Sequence, residues 1–241
     1  MIYRKKVTLL KKLLTMSMCL FVGFGVGVTA QADLIAPGDF FAIDINVGPS
    51  PTAPGFTGLD ATSSEGASVN EGGITATTLS TDGSRDRLPV LSGDLTRDFI
   101  FDDGGNQAVL LELSGLTLLS NGLSWMIEVW SYDDNPIAAP AGQQIGLSLI
   151  NTGFGGAPNE TILTDSFAPH PTDPFVTTFN PNFLLANSTR FAIFSRESPI
   201  DGNNRSRLNA VRISVIPEPD SAALIFLGGL VGLLFRRGGY P

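Results

Sequence analysis

Apolar residues come in short bursts between residues 33 and 216. Glycine- and proline-rich stretches separate them about every ten residues. The bursts are Phe40 to Val47, Ile74 to Leu79, Ala108 to Leu113, Ser124 to Trp130, Gln144 to Ile150, Phe175 to Phe179, Arg190 to Ser195 and Leu208 to Ile216. Each is rich in Ile, Val, Phe, Trp or Thr, and no window holds a helical period, so the pattern predicts strands. Ser124 to Trp130 puts Trp125, Ile127 and Val129 on one face and Met126, Glu128 and Trp130 on the other, as a central strand would. Leu208 to Ile216 alternates Val211, Ile213 and Val215 against Arg212 and Ser214. Gly48 to Gly55 carries three prolines and is expected to be irregular. Asp60 to Gly73 reads as a polar loop. Asp82-Gly83-Ser84, Asp102 to Asn106, Asn121-Gly122 and Asp201 to Asn204 read as turns. The expected fold is all-β, an antiparallel β-sandwich of residues 33–216, which is long enough for one domain with a proper core.

Both ends depart from this pattern. Arg4, Lys5, Lys6, Lys11 and Lys12 precede an apolar stretch from Leu13 to Val28, and Ala30-Gln31-Ala32 forms an A-x-A signal. Residues 1–32 therefore read as a signal peptide cut after Ala32; an uncleaved anchor helix is the alternative. At the other end Pro217-Glu218-Pro219 leads into an apolar segment over 221–235, followed by Arg236-Arg237. At about 1.5 Å per residue this segment reaches roughly 22 Å, short of the roughly 30 Å bilayer core. It can span as a short transmembrane helix if the bilayer thins or Arg236 and Arg237 snorkel. Those arginines favour a cytoplasmic end. Gly228 and Gly232 stand in GxxxG spacing, a helix-packing face or simply glycines tolerated in a short helix. The two prolines break any incoming helix and leave the tripeptide extended.

The order Pro-Glu-Pro, apolar segment and basic end resembles the PEP-CTERM sorting signal of bacterial exported proteins. The resemblance covers residues 217–241 and implies recognition by an exosortase, a membrane cysteine-type protease/transpeptidase, near Pro217, Glu218 and Pro219, with Arg236 and Arg237 as the basic end. The chain departs from it by continuing Gly238-Gly239-Tyr240-Pro241 where many such tails end in arginines. It implies an exported protein, anchored in the inner membrane during sorting and then passed to the cell surface or extracellular matrix. Signal peptidase and exosortase would be its transient partners.

Removal of residues 1–32 takes away all four lysines and the sole cysteine, Cys19. The remainder holds ten basic against 23 acidic residues, a net charge of −13. A disulfide framework, a thiolate metal site and a cysteine nucleophile are excluded from it. So acidic a surface lacks the positive patch that nucleic-acid binding requires.

A second resemblance lies in the body. Asp44-Ile45-Asn46-Val47-Gly48-Pro49 with Pro54-Gly55-Phe56, then Arg85-Asp86-Arg87, Leu95 to Phe101, Leu113-Ser114-Gly115-Leu116, Trp130 to Asp134 and Leu208 to Ile213 follow one another. This order is similar to the galactose-binding-domain-like jelly rolls of exported bacterial proteins, some of which sit beside esterases and glycosidases. It implies a jelly roll over Phe40 to Val215 and a sugar ligand such as exopolysaccharide. Fold alone does not give function.

The candidate ligand-binding residues are Trp130, Tyr132, Asp133, Asp134, Arg85 and Arg87, with Phe154 as a further stacking platform. Trp125 reads as core; Trp130 reads equally as core or as a loop-edge platform. Arg85 and Arg87 either grip a sugar or pair with carboxylates. Asp102 and Asp103, with Asp133-Asp134-Asn135, offer hard oxygen donors, so a structural Ca²⁺ is the one candidate cofactor. His170, the only histidine, lies in Pro169-His170-Pro171, and no G-x-S-x-G elbow accompanies it. With one histidine a structural zinc site is nearly excluded. Glu112 and Glu128 read as solvated strand residues rather than a glycosidase pair. The expectation is a non-catalytic surface or matrix protein; the alternative is a secreted polysaccharide- or ester-hydrolase.

Overall fold

A computed structural model describes residues 34, 36, 38–63, 65–79, 82–87, 94–103, 108–116, 123–133, 142–149, 160–181, 190–200 and 205–217. Among them the chain is all-β, with one 3-10 turn at Asp94–Thr96. The strands are β1 (Phe40–Asn46), β2 (Thr57–Asp60), β3 (Ser68–Glu71), β4 (Ile74–Leu79), β5 (Gly83–Asp86), β6 (Asp98–Asp102), β7 (Ala108–Ser114), β8 (Leu123–Trp130), β9 (Gln143–Ser148), β10 (Glu160–Phe167), β11 (Phe175–Phe179), β12 (Arg190–Glu197), β13 (Ser206–Leu208) and β14 (Ala210–Pro217). They form a five-stranded sheet in the order β11-β8-β14-β1-β2, a six-stranded sheet β10-β9-β12-β7-β4-β3, and a three-stranded sheet β13-β6-β5.

Alternation explains the core. Phe41, Ile43 and Ile45 of β1, Trp125, Ile127 and Val129 of β8, and Val211, Ile213 and Val215 of β14 leave one face of the five-stranded sheet. They join one buried cluster with Ile74, Val109, Leu111, Ile145, Leu147, Phe191 and Ile193 of the six-stranded sheet. Ile100 and Leu208 of the small sheet close it. Trp125 links the two large sheets directly: its ring lies 5.7 Å from Phe191 on β12 and 5.9 Å from Phe179 on its own sheet. β8 is central, between β11 and β14, as its two-faced pattern predicts.

Four expectations need correction. The sheets are not wholly antiparallel, because β1 and β2 run parallel, with Asp44 opposite Gly58 and Asn46 opposite Asp60. Asp60 to Gly73 is not only loop: its polar residues 68–71 pair with β4 as an edge strand. Asp82-Gly83-Ser84 opens β5 rather than a turn, and the ring of Phe101 on β6 fills the place where a Cβ of Gly83 would stand. Leu208 to Ile216 is two strands broken at Asn209. The chain there leaves the small sheet for the five-stranded one, and the fully buried Asn209 joins them. Its side-chain amide donates to the Asp98 carbonyl at 2.9 Å and its Oδ1 accepts from the Tyr132 amide at 2.6 Å.

Gly115 shows where glycine is required. Its φ is +82°, and a Cβ there would overlap the Gly73 carbonyl oxygen, so the β7 end can pass β4 only without a side chain. Among the described residues no helix is long and apolar enough to cross a membrane. The signal segment 1–32 with Ala30 and Ala32, the segment 221–235, and Glu218, Pro219, Arg236 and Arg237 lie outside the described residues.

Candidate functional site

Two polar constellations stand out, both on the small sheet and the ends of β1, β8 and β14. The first is an ion-pair network. Arg87 donates twice to Asp133, from Nε to Oδ1 at 3.0 Å and from Nη2 to Oδ2 at 3.2 Å. Arg97 grips Asp86 in the same forked way, with both bonds at 2.7 Å, and this holds the Asp86 carboxyl below its ordinary range. Asp103 sits between Arg85 at 3.5 Å and Arg205 at 3.6 Å. Arg85 also covers the Phe101 ring at 4.0 Å. Behind them Arg207 is almost fully buried on β13; loss of water pulls its guanidinium below the usual value, and Asp133 opposes that shift.

The sequence candidates therefore separate. Arg85 and Arg87 pair with carboxylates, Arg87 with the candidate Asp133 itself. Trp130 is buried and meets Phe56 edge-on at 5.5 Å, so its faces are committed to packing. Tyr132 is half-buried beside it. Asp102 is buried at the end of β6, while Asp103 is partly exposed and faces arginines. Asp134, Asn135, Phe154 and residues 104–106 lie outside the described residues. Among the described residues no three His, Cys, Asp or Glu side chains gather into a metal-binding group. Glu112 and Glu128 lie within reach of Arg190 and Arg212 on the neighbouring strands, at 3.8 and 3.9 Å. His170 is exposed, and its Nδ1 accepts from the amides of Thr172 and Asp173 at 3.3 and 3.2 Å, a local turn.

Removing one partner of the Arg87–Asp133 pair isolates a buried charge. Arg87→Ala is expected to lower the unfolding free energy by roughly 2–4 kcal/mol, the lower end if Arg207 compensates. Urea denaturation of Arg87→Ala against Arg85→Ala, whose partner is exposed, measures it; equal losses would contradict the assignment.

The second constellation was not among the candidate binding residues, although Asp44, Asn46 and Asp98 fall within the segments of the jelly-roll resemblance. Asp44 and Asn46 are i, i+2 on β1 and lie on the face opposite Ile43 and Ile45. Outward polar residues on such a strand ordinarily meet water. Here the segment 47–56 folds back over them. The Ala53 amide donates to Asp44 Oδ2 at 2.8 Å, and Asn46 Nδ2 donates to Thr52 Oγ1 at 2.7 Å. Ser50 ties the segment to itself through the Val47 carbonyl at 2.9 Å. Gly58 on β2 leaves the space: a Cβ there would overlap Thr52 Oγ1 and Asn46 Nδ2. Asp98 enters from β6. Asp44 and Asp98 are each only 1% exposed.

Burial raises both carboxyls to about 6. For Asp44 the Ala53 amide opposes the shift, and the charges of Asp98 and Asp94 add to it. For Asp98 the neighbouring Ser50, Arg97 and Val47 amide oppose it and Asp86 adds to it. No donor meets Asp98 Oδ1 or Oδ2 at ordinary hydrogen-bond length and angle, although the Val47 amide and the Ser50 hydroxyl, which donates to the Val47 carbonyl, lie beside it. The sequence did carry one signal: a DIN triplet in an otherwise apolar strand, followed by a proline-rich loop long enough to return. Neither the family models nor the curated proteins with which the chain was compared contain a match.

Proposed function

We propose that the chain is an exported, non-catalytic cell-surface or extracellular-matrix protein. Its ectodomain is a β-sandwich of jelly-roll type over residues 33–216, delivered by a cleaved signal peptide (1–32) and a PEP-CTERM tail (217–241) with a membrane segment over about 221–235. The observation that carries this reading is the three-part tail, whose Pro217-Glu218-Pro219 begins on the final residue of β14. β14 runs to Pro217, which pairs with Leu123, so this strand of the body reaches the first residue of the tripeptide. The two prolines favour an extended tripeptide, which in this reading is the cleavage point next to the domain. The single core shared by the two large sheets supports the sandwich.

A non-catalytic body fits the polar groups. The two carboxyls with raised affinity for protons lie beneath residues 47–56, out of reach of a polysaccharide. His170 has an exposed local turn around it rather than a serine–acid pair. Exopolysaccharide is the ligand this reading gives the ectodomain; at the end of β8 Trp130 packs against Phe56 and Tyr132 is half-buried.

Intact-mass measurement of the protein recovered from an exporting host with an exosortase is the test. The expected mass corresponds to a chain starting at Asp33 and ending near Glu218. Recovery of both termini intact would overturn the reading.

A further inference from the structure

We propose that Asp44, Asn46 and Asp98, roofed by residues 47–53, form a binding site for one calcium ion that fastens this loop to the outer face of the five-stranded sheet. The site is distinct from the Asp102–Asp103 pair and does not depend on how the chain is delivered.

The starting point is a set of buried oxygens with no donor. Asp44 Oδ1, Asn46 Oδ1 and both carboxylate oxygens of Asp98 are shielded from water and accept no hydrogen bond. Asp44, Asn46 and Asp98 are at least 94% buried. Leaving one such acceptor unsatisfied is costly, and four around one loop call for a common partner. All three residues converge on the same segment: Asp44 through Ala53, Asn46 through Thr52, and Asp98 beside Ser50 and Val47. The partner must donate to oxygen and carry positive charge. The nearest guanidinium, Arg97, has committed two of its donors to Asp86. Asp44 and Asp98 are two carboxyl groups buried under the same loop, each 1% exposed.

A divalent cation answers each requirement, since two carboxylates balance its charge. The donors are all hard oxygens, and no nitrogen or sulfur ligand is on offer, which selects calcium or magnesium over zinc or copper. Calcium is the better match. It accepts carboxylate, amide and carbonyl oxygens in irregular geometry, whereas magnesium demands an octahedron and retains several waters rather than an all-protein ligand set.

The test uses the full-length chain, purified in detergent and stripped with EDTA. Equilibrium dialysis against CaCl2 is expected to give one bound calcium per chain. At calcium a hundred times the dissociation constant, the melting temperature should rise on the order of 5–10 °C. Asp98→Asn and Asp44→Asn should each weaken binding at least tenfold, on the order of a lost charged ligand. Asp103→Asn should bind as the parent does. Absence of stoichiometric calcium on the parent chain, undiminished binding by Asp98→Asn, or loss of the ion in Asp103→Asn overturns the site. Equal affinity for magnesium overturns the choice of ion. If Asp98→Asn does not fold, the parent stoichiometry and Asp44→Asn still decide.

Discussion

Trp125→Ala will lower the free energy of unfolding by about 4 kcal/mol, most of the stability of an ordinary domain. The side chain is wholly buried and touches both large sheets through Phe191 and Phe179. Its removal leaves a cavity between rigid strands that cannot close on it. β8 is held on both sides, by Phe179 opposite Trp125 on β11 and by Val215 opposite it on β14. The indole Nε1 has no acceptor in its surroundings, so part of the ring's contribution is already offset. Trp125→Phe, which keeps an aromatic body and drops the stranded N–H, is therefore expected to cost only about 1–2 kcal/mol. Urea unfolding followed by far-UV circular dichroism measures both. A loss below about 1 kcal/mol for the alanine variant would mean that the two sheets do not share this core.

The second large effect depends on pH. In calcium-free buffer Asp98→Asn is expected to match the parent at pH 4 and to exceed its stability by roughly 2–3 kcal/mol at pH 7.5. Asp98 titrates near 3.8 when unfolded and near 6 when folded, so the native state holds the proton longer. Stability conferred by the neutral carboxyl is complete below pH 3.8 and lost as pH climbs through 6. A rise from 3.8 to about 6 corresponds to roughly 3 kcal/mol. Asparagine imitates the protonated acid and escapes this loss. Asp44 on β1, Asp94 on the 3-10 turn and Asp86 and Arg97 at the β5–β6 edge face the same region, and all remain in the comparison. Saturating calcium should reverse the order at pH 7.5 by stabilising the parent. A parent-minus-variant difference that stays flat from pH 4 to 7.5 would refute the proposed burial of this charge.

Strands whose side chains alternate strongly were legible in the sequence. β8 and β14 could be placed from Trp125, Ile127 and Val129 and from Val211, Ile213 and Val215, because burial of one face is written as period two. The strands that escaped are the edges β2, β3, β5, β10 and β13 and the short β6, which lies between β13 and β5. β3 is Ser68-Val69-Asn70-Glu71, half of it exposed. β10 lies at the rim of the six-stranded sheet and buries no residue fully. Such segments take their conformation from the neighbour they pair with, and composition does not announce a neighbour.

The candidate site was less readable for a related reason. Arg87 and Asp133 both drew attention, but 46 residues separate them and only the fold shows that each is the other's partner. Asp44 and Asn46 sit where polar alternation signals solvent. Their burial is decided by a loop that turns back, which Pro49, Pro51 and Pro54 permit without dictating.

The first and last strands of the body lie side by side: β14 is inserted between β1 and β8, in the middle of its sheet. Synthesis order and sheet order thus run against each other. A ribosome feeding this polypeptide from its N-terminus supplies β1 and β8 long before the piece that joins them, so the barrier to folding is set by the most distant pairing. The five-stranded sheet alone waits for residue 217 before β1 and β8 can be joined.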